Sequence, residues 1–262
     1  MLLDRKTTVI IGGTTGIGLA GAKAFVREGA RVVVVGRNDE NAKKAREDMG
    51  ANCVAIAGDA THPQTAEKAI ATAMEKFGSF DGLYHVAGGS GRKMGDGPLH
   101  EISDEGWHFT LDLNMTSVFY SNRAAAREFL KQEKPGAILN LGSILGSHPS
   151  PKFFATHAYA AAKASMAGFV RACAAYYAPR NIRFNLLVPA LVDTPMSQRA
   201  MANDEIMRFI ASKQPLDGGR VGAPEDLDQA AIFFMSDHSK FVTGQTLAVD
   251  GGWSVSEGQI PV

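Results

Sequence analysis

Short β-branched runs alternate with longer stretches in which apolar residues recur every three or four positions. Thr7–Ile11, Arg31–Val35, Cys53–Ala57, Gly82–Val86, Ala137–Leu141, Ile182–Val188 and Thr246–Val249 read as strands. Residues 17–28, 38–49, 64–77, 103–131, 157–178 and 224–236 read as helices. Near-continuous apolar strands separated by helices indicate a parallel sheet covered on both faces. No repeat or low-complexity tract divides the chain, so residues 1–262 are expected to form one doubly wound α/β domain with a seven-stranded parallel sheet. Two segments break the rhythm: the Gly-rich run Gly88–Pro98, and a weakly helical, Met-bearing stretch from Pro195 to Gly222, within a loop at about 190–222. In such sheets ligands bind beyond the carboxyl ends of the strands, so both are candidate borders of a site, the second a substrate loop.

Composition narrows the classes. The chain carries 27 Lys+Arg against 27 Asp+Glu and is 45% hydrophobic, which supports a sizeable core and gives no basic excess for nucleic acid or an anionic membrane. Cys53 and Cys173 stand far apart and outside any metal-ligand spacing, as expected of free thiols in a reducing compartment. The first six residues form no apolar signal core and no run reaches membrane-spanning length, so a cytoplasmic protein is expected.

Between the first strand and the first helix lies Gly12-Gly13-Thr14-Thr15-Gly16-Ile17-Gly18. Glycines there let backbone amides and a helix N-terminus approach a pyrophosphate, and the strand–loop–helix–strand setting points to a dinucleotide. The second strand ends in Gly36-Arg37-Asn38, without the carboxylate that would meet a ribose 2′-hydroxyl, and Arg37 is placed to hold a 2′-phosphate. NADP(H) is favoured on these residues, with NAD(H) the alternative, since Thr15 stands where a second basic residue would help.

Tyr159 and Lys163 share one helix face at i, i+4. Ser143 follows the fifth strand, and Asn114 interrupts an apolar helical face, where a buried amide needs a partner. His85, His148 and His157 make no metal-ligand spacing with cysteines or acids, and are expected to be loop or helix-packing histidines. Asp193 reads as a turn residue, Met196, Met201 and Met207 as a pliable apolar lid or helix packing, and Tyr176-Tyr177 as packing aromatics.

Together these motifs resemble the short-chain dehydrogenase/reductase family, with its Rossmann-like fold, along essentially the whole chain. Its glycine motif matches Gly12–Gly18, its adenine-binding Asp segment Gly58-Asp59-Ala60, its catalytic set Asn114, Ser143, Tyr159 and Lys163, and its carboxamide segment Pro189–Thr194. Its closing signature matches Thr243-Gly244-Gln245 and Val249-Asp250-Gly251-Gly252. The departures are Ala190 for a usual Gly, His85-Val86-Ala87-Gly88 for Asn-Asn-Ala-Gly, and a longer segment between Ser143 and Tyr159.

The resemblance implies cofactor contacts from Gly12, Thr14, Thr15, Gly16, Ile17, Gly18, Arg37, Asn38, Asp59, Ala60, Ala87, Gly88, Tyr159, Lys163, Pro189, Val192 and Thr194. It implies hydride transfer between nicotinamide and a small-molecule carbonyl or secondary alcohol, with Tyr159 as general acid/base. Lys163 would lower the phenol pKa, Ser143 hold the substrate oxygen, and Asn114 anchor a water leading to Lys163. Lowering a phenol from about 10 to ~7 takes about 4 kcal/mol, the contribution of one charge ~4 Å away at an effective dielectric of ~20. It further implies a homotetramer, with the helices of Asn114 and Tyr159 at one dyad and an Ala158, Ala161, Ala162 face for close approach. A sugar, polyol, quinone or other ketone is the expected substrate class, and Arg92, Lys93 and Asp96 hint at a hydroxylated or anionic one. One alternative is a 3-oxoacyl-carrier-protein reductase, but Ala172–Tyr177 lacks that subfamily's basic docking residues. Another is a non-catalytic dinucleotide sensor, which the presence of both Tyr159 and Lys163 disfavours.

Overall fold

The computed structural model describes residues 1–258. Its strands are β1 (Thr7–Ile11), β2 (Arg31–Gly36), β3 (Cys53–Ala57), β4 (Gly82–His85), β5 (Gly136–Leu141), β6 (Ile182–Pro189) and β7 (Thr246–Val249). They form one parallel seven-stranded sheet in the order β3-β2-β1-β4-β5-β6-β7. The helices are α1 (Gly16–Arg27), α2 (Asp39–Met49), α3 (Pro63–Phe77), α4 (Asp104–Leu111), α5 (Ser117–Gln132), α6 (His157–Tyr177), α7 (Gln198–Met201), α8 (Asp204–Lys213) and α9 (Asp228–Met235).

Strand alternation sorts the core into two layers. Val9, Ile11, Val33 and Val35 pack with α3, α5 and α6 on one face, while Ile10, Val32 and Val34 pack with α1, α2 and α9 on the other. The strand order reverses between β1 and β4, which opens a crevice at their carboxyl ends.

Three expected elements differ. The helix expected over 103–131 is two helices joined by a π-helical turn, Asp112–Thr116, with the buried Asn114 at its middle. The segment after β6 is more regular than its sequence indicates: Asn203 caps α8 by accepting the Ile206 amide at 3.0 Å. The last helix begins at Asp228 behind a 3₁₀ turn, Pro224–Leu227. No described helix is long and apolar enough to cross a membrane.

Candidate active site

The glycine loop turns from β1 into α1 against the end of β4. Gly12 has φ +89°, and a Cβ there would stand 2.5 Å from the Ala87 amide nitrogen, so only glycine lets the two chain segments meet. Thr15 precedes α1 and makes no side-chain capping bond, and α1 has no acidic residue in its first turn. Its amides and dipole therefore face the crevice without a protein anion, a fit for a pyrophosphate. Gly16 lies against Thr194, which brings the loop to the segment after β6.

At the end of β2 a Cβ on Gly36 would collide with Thr14 Oγ1, so packing itself keeps a carboxylate away from that position. Arg37 is exposed and borders a concavity with Asp59, Thr61 and Tyr120. Burial pushes the Asp59 carboxyl up, but the amide and hydroxyl of Thr61 and the charge of Arg37 outweigh it and hold it below its ordinary range. Asn38 spends its Oδ1 on capping α2, accepting the Asn41 amide at 2.9 Å.

A second pocket opens beyond the carboxyl ends of β4, β5 and β6. Gly88, Ser143, Tyr159, Lys163, Pro189, Val192 and Thr194 line it, with an apolar wall that includes Leu145, Phe154, Met196 and Trp253. Tyr159 and Lys163 are both buried. The Lys163 Nζ donates to the Leu141 carbonyl at 3.0 Å and lies 5.7 Å from the centre of the Tyr159 ring. Burial raises the phenol pKa, and the Ser143 hydroxyl pulls it part of the way back. Burial lowers the Lys163 ammonium to about 7.

Asn114 is committed on nearly every side. Its Nδ2 donates to the carbonyls of Gly89 at 2.8 Å and Thr110 at 2.9 Å, and its Oδ1 accepts the Gly89 amide at 3.0 Å. Both amide hydrogens are used, so its capacity toward a water is confined to the carbonyl oxygen.

One sequence reading changes. Asp96 does not face a substrate. It is buried and accepts the amides of Ala158 and Tyr159, each at 3.0 Å, capping α6 from the loop after β4. A buried acid far upstream of an uncapped helix carries no local signal, because the capping partner is distant in sequence. His85 packs as expected, fully buried, and ties the end of β4 to α5. Its Nδ1 lies 2.7 Å from Ser121 Oγ and its Nε2 3.1 Å from the Ala87 carbonyl. A carbonyl only accepts, which places the proton on Nε2 and leaves Nδ1 to accept from the serine. Among the other candidates, Met196 reaches the pocket while the Met201 sulfur accepts a bond from Ser197. Asp193 holds Gln198 in the turn, Tyr177 stacks on Phe184, and both thiols are free. Among the described residues no His, Cys, Asp and Glu cluster could hold a metal.

The fold and pocket together define a dinucleotide-binding α/β enzyme. A family model described as enoyl-(acyl carrier protein) reductase matches residues 12–254. The 2,5-dichloro-2,5-cyclohexadiene-1,4-diol dehydrogenase of Sphingobium indicum is 34% identical over 97% of this chain and 98% of its own. The 3beta-hydroxysteroid dehydrogenase 1 of Eggerthella lenta is 35% identical over 98% and 96%. The structure of the 3-ketoacyl-(acyl-carrier-protein) reductase of Brucella melitensis complexed with NADH superposes with a TM-score of 0.84 at 27% identity, over 97% of this chain and 100% of that one. The chain belongs to the short-chain dehydrogenase/reductase family. It is an oxidoreductase acting on CH–OH groups of small molecules with a nicotinamide cofactor.

Proposed function

We propose that the protein is an NADP(H)-preferring dehydrogenase/reductase of a small ketone or secondary alcohol, with Asn114, Ser143, Tyr159 and Lys163 as its working residues. The observation that carries this reading is the meeting of Ser143, Tyr159 and Lys163, from two separate elements, in one pocket beside the glycine loop. The bound nicotinamide supplies or accepts the hydride. The protein's part is to hold the substrate oxygen between Ser143 Oγ and the Tyr159 hydroxyl, and to move one proton at that hydroxyl. The raised phenol pKa favours the protonated form, which suits Tyr159 to the acid role in carbonyl reduction. Lys163, near 7, can change charge as the proton passes. Asn114 keeps Gly88 and Gly89 at the depth that admits the nicotinamide ribose.

Gly12, Thr14, Thr15, Gly16, Ile17 and Gly18 take the phosphates in this reading. Arg37 and Asn38 take the adenosine ribose end, Asp59 and Ala60 the adenine, and Ala87, Gly88, Pro189, Val192 and Thr194 the nicotinamide end. Residues 190–222 form the substrate loop of the single catalytic domain spanning 1–262. A mixed substrate panel followed by nicotinamide absorbance, with NADPH and NADH, tests this. The expectation is turnover of one carbonyl class with NADPH ahead. Turnover equal in Tyr159→Phe would overturn it. A carrier-protein thioester as the preferred substrate would instead establish the 3-oxoacyl reductase alternative.

We also infer a cytoplasmic homotetramer. Strand β7 is an exposed sheet edge, and Phe241, Tyr176 and Leu247 are exposed nearby in the chain's last third, features that assembly would cover. The close-approach face of α6 is not the one expected, because Ala158 and Ala162 are buried in the protomer's own core. The outward stripe is Ala161, Ala164, Ser165, Gly168 and Ala172. Light scattering that gives a monomer at micromolar concentration would contradict the assembly.

A further inference from the structure

The pocket contains a concentration of positive charge that hydride transfer does not use. Arg92, from the 3₁₀ turn after β4, and Arg199, on α7, both line it. Their Nη2 atoms donate to the same acceptor, the Phe153 carbonyl, at 3.3 and 3.4 Å. A single carbonyl thus holds two guanidinium groups side by side, although like charges at this spacing repel. Burial and the neighbouring Arg199 charge outweigh the attraction of the Asp96 carboxylate and hold the Arg92 guanidinium below its ordinary range.

The carboxylates nearby are committed elsewhere. Asp96 caps α6, and Glu205 pairs with Lys152. Among the described residues neither Arg92 nor Arg199 has a carboxylate within ion-pair distance. Each guanidinium carries five N–H donors, and the Phe153 carbonyl takes one from each. Two converging planar forks with donors to spare, in a pocket whose other wall is Leu145, Phe154 and Trp253, match an oxyanion attached to an apolar body.

We propose that Arg92 and Arg199 form an anion-binding subsite, and that the substrate is a ketone or secondary alcohol carrying a carboxylate, phosphate or sulfonate group. The subsite rests on the oxidoreductase reading above for its consequence in catalysis, but not for binding. The cofactor's own phosphates are met at the glycine loop, so the pair is not needed for them.

Cyclohexanecarboxylate and its neutral counterpart cyclohexylmethanol serve as probes, titrated against the NADPH-loaded protein with Trp253 fluorescence as the readout. The wild type is expected to bind the carboxylate at least about tenfold more tightly than the alcohol. Arg92→Gln and Arg199→Gln should each remove most of that difference, Arg92→Lys should retain part of it, and NADPH affinity should stay unchanged. Equal binding of the two probes, undiminished selectivity in both Gln variants, or a loss confined to NADPH affinity would overturn the subsite. Comparison of 4-oxocyclohexanecarboxylate with cyclohexanone as substrates then extends the test to kcat/KM. Should Tyr159→Phe retain full turnover while the carboxylate selectivity holds, the catalytic reading falls and the anion subsite stands.

Discussion

Asn114 grips Gly89 from both sides, donating to its carbonyl and accepting its amide. The π-helical turn makes this possible, because the extra residue turns the Asn114 side chain out of the α4–α5 helix line toward the loop after β4. Its second amide hydrogen stays within the helix on Thr110.

Replacing Asn114 with Ala would leave the half-buried amide and carbonyl of Gly89 without their side-chain partner. Stability should fall by about 1–3 kcal/mol, read as a lower urea midpoint, and kcat should fall with it because Gly88 and Gly89 line the pocket. Asn114→Asp, which cannot donate to the Gly89 carbonyl, should reproduce most of the loss.

Tyr159→Phe should leave cofactor affinity intact and reduce turnover by about 10²–10⁴-fold, the usual contribution of a positioned acid or base. Steady-state kinetics beside a cofactor titration checks both halves. A parallel fall in cofactor affinity would mean that the hydroxyl also holds the cofactor.

At the other end of the cofactor site, Arg37→Ala should weaken NADPH by about 10–100-fold while leaving NADH within a factor of two or so. Gly36→Asp should not create good NADH binding, because its side chain would have to displace Thr14. Binding titrations with the two cofactors decide both points.

Stability should depend on pH through His85. Burial, chiefly, and the Lys163 charge lower its pKa from an ordinary 6.5 to about 3. Unfolded chains then bind the extra proton below pH 6.5, so this contribution is fully present above that value and is lost as pH falls toward 3. The whole loss is on the order of 5 kcal/mol. Asp228, raised to about 6 mainly by burial, titrates in the opposite sense over part of that window. The measurement is therefore the difference between wild type and His85→Asn in denaturant at pH 7 and pH 4.5. That difference should shrink or reverse at the lower pH, and a difference constant with pH would contradict the buried neutral imidazole.

All seven strands were legible from local pattern, with ends shifted by a residue at most. β-Branched runs such as Val32–Val35 are buried on both faces, and need no distant information to declare themselves. The glycine loop and the Tyr159–Lys163 spacing are likewise local: a turn that must meet a phosphate and one helix face are encoded by neighbours in sequence. What depends on residues far apart was not readable. The split of 103–131 turns on Asn114 finding Gly89, which lies 25 positions away. Asp96 declares itself as a cap only once α6 is set beside its loop, and His85 as a tie only once Ser121 faces it. The convergence of Arg92 and Arg199 on Phe153 is decided by how the 3₁₀ turn of Arg92, α7 and the loop of Phe153 pack together. Sequence by itself thus determined the sheet, its order of helices and the chemistry of the catalytic helix, because periodicity and short spacings act within a turn or a strand. Tertiary structure decided which polar groups are satisfied by which, because a buried donor takes whatever acceptor the fold brings to it.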